Sequence, residues 1–206
     1  MKNGRKTSVI VFDLGNVLLP FDYNKLTTKL EKIESGLGKH FLDTYNSNYE
    51  YHKDYERGKI SEERFIERML DVLNYKIDGE TFCKYYADIF QKNDEVASLL
   101  PGLKKNYMLI LLSNTDPIHK KYGWEHYDFL QYFDNLIVSH EVGAVKPEEG
   151  IYRAVEQASG ALSEEHIFID DIQKYVEAAK NLGWDGIHFT SYSNLVNELN
   201  FRNILF

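Results

Sequence analysis

Ser8-Val9-Ile10-Val11-Phe12-Asp13-Leu14-Gly15-Asn16 is a β-branched and aromatic run that stops at turn-forming residues. It reads as a buried strand whose carboxyl end opens into a loop beginning with an acid. Three further segments have the same form. Tyr107 to Leu112 runs into Ser113-Asn114, Asn135 to Val138 precedes a loop carrying Lys146-Pro147, and His166 to Ile169 runs into Asp170-Asp171. Gly186 to Phe189 closes the set. Helical patterns lie between them: Glu148 to Ser159 gathers Ile151, Ala154, Val155 and Ala158 on one face, and Tyr175 to Leu182 gathers Val176, Ala179 and Leu182. This alternation of strand and helix predicts an α/β fold, with a parallel sheet covered on both faces.

Residues 20 to 97 break the alternation. They hold helical patterns at 24 to 35, 40 to 56, 61 to 74 and 79 to 91 and no strand, which predicts an all-helical insertion between the first and second strands. The core is then 1–19 together with 98–206, re-entered at Pro101-Gly102. Asp22 is placed to cap the first inserted helix, Ser61 to start another, and Cys83, near Phe82 and Tyr86, to pack inside. Tyr45, Tyr49, Tyr51 and Tyr55 form an aromatic stripe that reads first as packing, with stacking on a sugar face as the functional alternative.

Composition narrows the function. The chain has 206 residues, 24 Lys and Arg against 32 Asp and Glu, and a net charge of −8, which excludes a general nucleic-acid binder because phosphate neutralisation needs a basic surplus. The apolar runs Val9 to Phe12 and Leu109 to Leu112 fall far short of the roughly 20 residues that span a bilayer, so no membrane partner is expected. Lys2, Arg5 and Lys6 read as a solvated tail rather than a signal peptide, since Asp13 interrupts the apolar stretch that follows. One cysteine cannot make an internal disulfide, and a cytoplasmic location is expected. The histidines show no metal-ligand spacing, and His119, His126, His140, His166 and His188 read as surface or helix-edge residues. Glu62-Glu63 and Glu164-Glu165 read as solvated helix starts, and the apolar Leu199 to Phe206 as a segment docking on its own core or on a second copy in a homo-oligomer.

The chemistry lies at the strand exits, where open parallel sheets bind their ligands. Asp13 and Asp170-Asp171 brought together repel unless a cation sits between them. Mg²⁺ suits such a site, as a hard cation that takes carboxylate, water and phosphate oxygens. Lys146 supplies a second positive charge, while Ser113 and Asn114, at the start of a following helix, offer donors to phosphate oxygens. The combination points to phosphoryl transfer through a carboxylate nucleophile.

Val11-Phe12-Asp13-Leu14-Gly15-Asn16-Val17, Leu112-Ser113-Asn114-Thr115, Val145-Lys146-Pro147-Glu148 and Phe168-Ile169-Asp170-Asp171 resemble, in order, the four motifs of the haloacid dehalogenase (HAD) superfamily. The insertion is similar to its helical C1 cap, and Tyr55-Glu56-Arg57-Gly58-Lys59-Ile60-Ser61 resembles a cap segment of the branch that includes α-D-glucose-1-phosphate phosphatases. The resemblance implies a Rossmann-like sheet in order 5-4-1-2-3 and a phosphatase of a small phosphorylated metabolite. It implies Asp13 as the nucleophile that becomes an aspartyl-phosphate. Mg²⁺ is implied on Asp13, Asp171, the Gly15 main-chain carbonyl and, through water, Asp170, with Ser113, Asn114 and the catalytic Lys146 on the phosphoryl group.

Two positions depart from that pattern. Gly15 stands where most family phosphatases carry an aspartate that serves as general acid and base, a function worth about 10²–10⁴ in rate. The expectation is a preference for leaving groups that need little protonation, such as an anomeric hydroxyl, an aryl alcohol or an acyl phosphate. Tyr175 stands where an amide or carboxylate usually supports the metal, which predicts weaker Mg²⁺ binding. The alternatives are a dehalogenase that displaces halide from carbon, which Gly15-Asn16 and the paired acids at 170 and 171 disfavour, and a weakly active or non-catalytic module that binds a phosphorylated ligand.

Overall fold

The computed structural model describes residues 7–206, and the tail expected over residues 1–6 lies outside them. Five parallel strands form one sheet in the order β3-β2-β1-β4-β5, the order anticipated, read from its other edge. They are β1 (Val9–Phe12), β2 (Met108–Ser113), β3 (Asn135–Val138), β4 (His166–Asp170) and β5 (Asp185–His188). β1 is central, with Val9 opposite Met108 and His166, and Phe12 opposite Leu111 and Ile169.

Both faces of the sheet are apolar, as a doubly covered parallel sheet requires. Ile10, Phe12, Leu109, Leu111, Ile167 and Ile169 form one inner surface, packed against Leu100, Leu103, Leu195 and Leu199. Val9, Val11, Ile110, Leu112 and Phe168 form the other, against Ile151, Tyr152, Val155, Ala179 and Trp184. Each such side chain, fully buried, is worth about 1.5–3 kcal/mol relative to exposure, so the sheet is the rigid platform of the molecule. The covering helices include α7 (Leu100–Lys104), α9 (Glu149–Ser159), α10 (Gln173–Asn181) and α11 (Tyr192–Phe201), with the short α6 (Asp94–Ala97) and α8 (Ser139–Val142).

The helices between β1 and β2 are α1 (Asn24–Ile33), α2 (Leu37–Ser47), α3 (Tyr49–Glu56), α4 (Glu62–Val72) and α5 (Gly79–Ala87). They share their own apolar cluster, in which Leu26, Leu30, Phe41, Tyr55, Phe65, Phe82, Cys83 and Tyr86 are buried. The Tyr55 ring stacks on Phe65 at 3.9 Å, so that member of the tyrosine stripe is packing. Ser61 caps α4, accepting from the Arg64 N–H, and Asp22 accepts from the Asn24 N–H at 2.9 Å, as their positions suggested. The pattern over 40 to 56 is two helices rather than one. Asn48 breaks it, its side-chain amide donating to the Thr44 carbonyl and the Ser47 hydroxyl in competition with the helical backbone. The chain enters and leaves this unit side by side, with main-chain bonds from Asp22 N to Ile89 O (3.0 Å), Gln91 N to Pro20 O (2.9 Å) and Asn93 N to Leu18 O (2.9 Å).

Two expectations needed correction or completion. The C-terminal apolar segment docks on its own core: α11 is capped by Ser191, Leu199 and Ile204 are buried, and Leu205 N donates to the Tyr107 hydroxyl at 3.1 Å. His119 and His166 are buried rather than superficial. Among the described residues no helix is long and apolar enough to cross a membrane.

His166 is satisfied as a neutral ring. Nδ1 faces the Leu162 carbonyl at 2.8 Å and must carry the proton, Nε2 meets the Ser159 hydroxyl at 2.9 Å, and the ring stacks on Trp184 at 4.6 Å. Burial pulls its pKa below the ordinary value, partly offset by the bond to the Leu162 carbonyl. Below about pH 6.5 the unfolded chain therefore binds a proton that the folded ring resists. Stability should fall as pH drops through that value toward the folded pKa and then level off. Urea midpoints measured from neutral to mildly acid pH check this; a His166→Asn variant, which keeps a donor toward Leu162, should lose that part of the slope.

Candidate active site

β1, β2 and β4 end side by side, so the residues that follow them meet above one edge of the sheet. Lys146 reaches this point from the loop after α8, and its ammonium donates to Asp13 Oδ1 and to Asp170 Oδ2, both at 2.7 Å. It also approaches the Leu112 carbonyl at 3.4 Å. The Lys146 side chain is 1% exposed and those of Asp13 and Asp170 are 9% and 0%. Asp171 joins them: carboxylate oxygens of Asp13, Asp170 and Asp171 lie within 4.8 Å of one another.

One ammonium faces three carboxylates. Burial pushes the Asp13 pKa upward despite the attraction of Lys146, with repulsion from Asp170 and Asp171 adding to the rise. Burial likewise raises Asp171, against the bond it accepts from Asn16 and with repulsion from Asp170. Burial alone would lower the Lys146 pKa, but the two carboxylates reverse this and hold it above its ordinary value, so it stays charged. The site thus carries more negative charge than its lysine neutralises, on oxygen donors alone. That donor set fits a hard divalent cation.

The loops position these groups through specific bonds. Both contacts to Asp13, from Lys146 and from Leu14 N at 2.7 Å, fall on Oδ1. Asp170 is spent twice, Oδ2 on Lys146 and Oδ1 on Ile172 N at 2.7 Å. The Asn114 side chain clamps the main chain of Lys146, accepting from its N–H at 2.7 Å and donating to its carbonyl at 3.2 Å. The carbonyl of Gly15 accepts from Val17 N at 2.7 Å. Ser113 is buried at the end of β2. No helix begins at Ser113 or Asn114: the helical turn starts at 117, and Asp116 caps it by accepting from His119 N at 2.9 Å. Of the two donors expected from that helix start, Ser113 is therefore the last residue of β2 and Asn114 a loop residue.

Tyr175 does not leave a gap where the fourth motif usually has an amide. Its ring lies 5.2 Å from the Lys146 ammonium, with the Phe168 ring at 5.5 Å, so the charge is lodged between two aromatic faces. Three positions escaped the sequence reading. Asn16 takes a left-handed conformation (φ 54°) and donates to Asp171 Oδ2 at 3.0 Å, tying the first loop to the fourth; a Gly-Asn pair after an acid is the turn signal for it. Asp116 is fully buried and pairs with His119 Nδ1 at 2.8 Å, its capping position marked by the Pro117 that follows. Arg57, just past α3, donates to Glu148 at 2.8 and 3.0 Å, fastening the helical unit beside the Lys146 loop.

Removing the cation from between Asp13 and Asp170 strands two buried charges. Lys146→Met should cost roughly 3–5 kcal/mol of folding stability, read from urea unfolding in EDTA. A loss below about 1 kcal/mol would mean that water reaches and solvates the pair.

Comparison with known proteins agrees with this geometry. The chain is 26% identical over 183 residues to the D-ribitol-5-phosphate phosphatase of Bacteroides thetaiotaomicron, covering 85% of this chain and 88% of that enzyme. It is 27% identical over 200 residues to the glyceraldehyde 3-phosphate phosphatase of Pyrococcus furiosus, covering 90% and 81%. Its fold superposes on a HAD family enzyme from Bacteroides thetaiotaomicron, solved as a magnesium complex, with a TM-score of 0.79 and 24% identity over 92% of this chain and 98% of that one. Residues 7–183 match the family of haloacid dehalogenase-like hydrolases, and with its relatives named as phosphatases the chain is an enzyme that belongs to that family.

Proposed function

We propose that this enzyme is a Mg²⁺-dependent phosphatase that hydrolyses a small phosphorylated polyol or sugar through an aspartyl-phosphate on Asp13. The observation that carries the reading is the convergence of Asp13, Asp170 and Asp171 around the Lys146 ammonium. With Oδ1 of Asp13 held by Lys146 and Leu14, Oδ2 is the oxygen left to attack phosphorus. The attack displaces the ester oxygen, and water then cleaves the aspartyl-phosphate to release phosphate and restore the carboxylate.

The other residues take their parts from their bonds. Lys146 fixes the nucleophile and presents its charge to the phosphoryl oxygens. Ser113 contributes its hydroxyl. Asn114, whose amide is committed to Lys146, contributes its main-chain N–H. Asp13, Asp171 and the Gly15 carbonyl would hold Mg²⁺, with Asp170, already engaged through both oxygens, acting behind them. Bound there, the ion supplies the positive charge that three carboxylates and a phosphate dianion otherwise lack. The substrate class follows relatives named for ribitol 5-phosphate and glyceraldehyde 3-phosphate, one a polyol phosphate and the other a triose phosphate, both small. Taken by itself, the loop holding Gly15 offers the leaving oxygen no proton, so primary alcohols such as those released from the relatives' named substrates require a donor from elsewhere in the site.

A panel of phosphorylated metabolites assayed with Mg²⁺ and with EDTA tests this reading. Turnover should require Mg²⁺ and should fall to the uncatalysed background in Asp13→Asn, while that variant unfolds as cooperatively as the parent. Acid quenching during turnover should trap a phosphoryl group on Asp13. Undiminished hydrolysis by Asp13→Asn, or none by the parent on any ester, would overturn the proposal.

A further inference from the structure

We propose that Glu56, from the helical unit, is the proton donor and acceptor that the first loop lacks. The inference rests on the phosphatase reading above and adds a catalytic residue to it. A side chain at position 15 would begin in tight contact with the helical unit's entry segment: a Cβ on Gly15 would lie 3.2 Å from the Phe21 ring. That glycine lines a cavity together with Ser113, Asn114 and His119 of the core and Tyr23 and Glu56 of the helical unit. An in-line displacement sends the leaving oxygen away from Asp13, and this cavity, lined by the chain neighbours Leu14 and Gly15 and by Ser113 and Asn114, is where the proposal places it.

Of the ionisable groups lining this cavity, Glu56 is the one suited to exchange a proton. Burial pushes the Tyr23 phenol well up, so it stays neutral. His119 is engaged at both ring nitrogens, by Asp116 at 2.8 Å and by the Tyr86 carbonyl at 3.2 Å. The Glu56 side chain is 14% exposed, and its partner among the described residues is His52, with Oε1 3.4 Å from Nε2. The Tyr86 hydroxyl donates to the buried Asp116 carboxylate at 3.2 Å, so its oxygen receives Nδ1–H of His52 at 3.3 Å. Nε2 of His52 is then the ring nitrogen that faces Glu56, so a proton taken up by this pair lies between Oε1 and Nε2 at the cavity wall. The bond from Arg57 to Glu148 anchors the end of α3 to the core and so fixes its neighbour Glu56 over the site.

The steps balance. As Asp13 Oδ2 bonds to phosphorus and the P–O ester bond breaks, the ester oxygen takes the Glu56 proton and leaves as an alcohol. The Glu56 carboxylate then takes a proton from water, whose oxygen bonds to phosphorus as the bond to Asp13 breaks. Phosphate is released, and both side chains return to their starting states.

The test measures kcat/KM with Mg²⁺ over phosphate monoesters ranging from p-nitrophenyl to simple alkyl, for the parent, Asp13→Asn, Glu56→Gln and Glu56→Asp. Glu56→Gln should lose about 10²–10⁴-fold on alkyl esters and far less on the nitrophenyl ester, so its plot against leaving-group pKa steepens. With the nitrophenyl ester it should release about one equivalent of nitrophenol per site in a burst, then turn over slowly, because hydrolysis of the aspartyl-phosphate has lost its base. Glu56→Asp, which keeps an acid one methylene shorter, should fall between the two and carries the test if the glutamine variant is unstable. Plots for parent and Glu56→Gln that run parallel, or coincide, while Asp13→Asn is inactive would overturn the role of Glu56 alone. No turnover by the parent on any ester would overturn this inference together with the phosphatase reading.

Discussion

The ammonium of Lys146, buried between the carboxylates of Asp13 and Asp170, sets the arrangement of everything around it. Two acids at the ends of neighbouring strands would repel across a few ångströms of low-dielectric protein, and a single well-placed cation converts that repulsion into a fixed geometry. The cation must itself be held, and the fold does so from several sides. Asn114 grips its main chain, the Leu112 carbonyl approaches its head, and the rings of Phe168 and Tyr175 flank it. β2 and β4 thus each help to orient a lysine that belongs to neither, which is why the third loop can carry it into the site without a strand beneath it.

The platform was legible in the sequence because a doubly covered parallel strand announces itself. Apolar on both faces and ended by polar turn residues, Val9–Phe12 and His166–Asp170 admit few other readings. The acids at positions 13, 170 and 171 were legible for the same reason, since a strand exit fixes where the next residue points. What could not be read was pairing that depends on distance in space. The bond from Asn16 to Asp171 joins positions 155 apart in the chain, and the Arg57 to Glu148 bond joins positions 91 apart. His119 and His166 were misjudged because burial of a polar ring depends on acceptors supplied from elsewhere: the Tyr86 carbonyl and Asp116 in one case, Leu162 and Ser159 in the other. α11 escaped because its buried residues, Leu195 and Leu199, stand among asparagines and serine with too weak a stripe to stand out.

The helical unit contributes polar groups as well as a cover. Tyr86 belongs to its apolar cluster, yet its hydroxyl reaches Asp116 of the core, and its ring stacks on His119 at 4.1 Å. Aromatic side chains suit such a boundary, since each presents a large apolar body with a polar handle at one end. The tyrosines that looked in sequence like a single stripe therefore divide by depth: Tyr55 is interior packing, Tyr45 is half-buried with its hydroxyl 3.4 Å from that of Tyr23 at the cavity wall, and Tyr49 is exposed.

The paired backbone at the base of the helical unit bears on how such a molecule is put together. Leu18 meets Asn93, Pro20 meets Gln91, and Asp22 meets Ile89, so the inserted chain departs and returns at nearly the same point. To the sheet, a whole helical bundle is topologically no more than a tight turn. Because the entropy of closing a loop grows only logarithmically with its length, lengthening or replacing what lies beyond that junction imposes little penalty on strand pairing. The helical unit is thereby free to be rebuilt, while the strand ends that gather Asp13, Lys146, Asp170 and Asp171 keep their form.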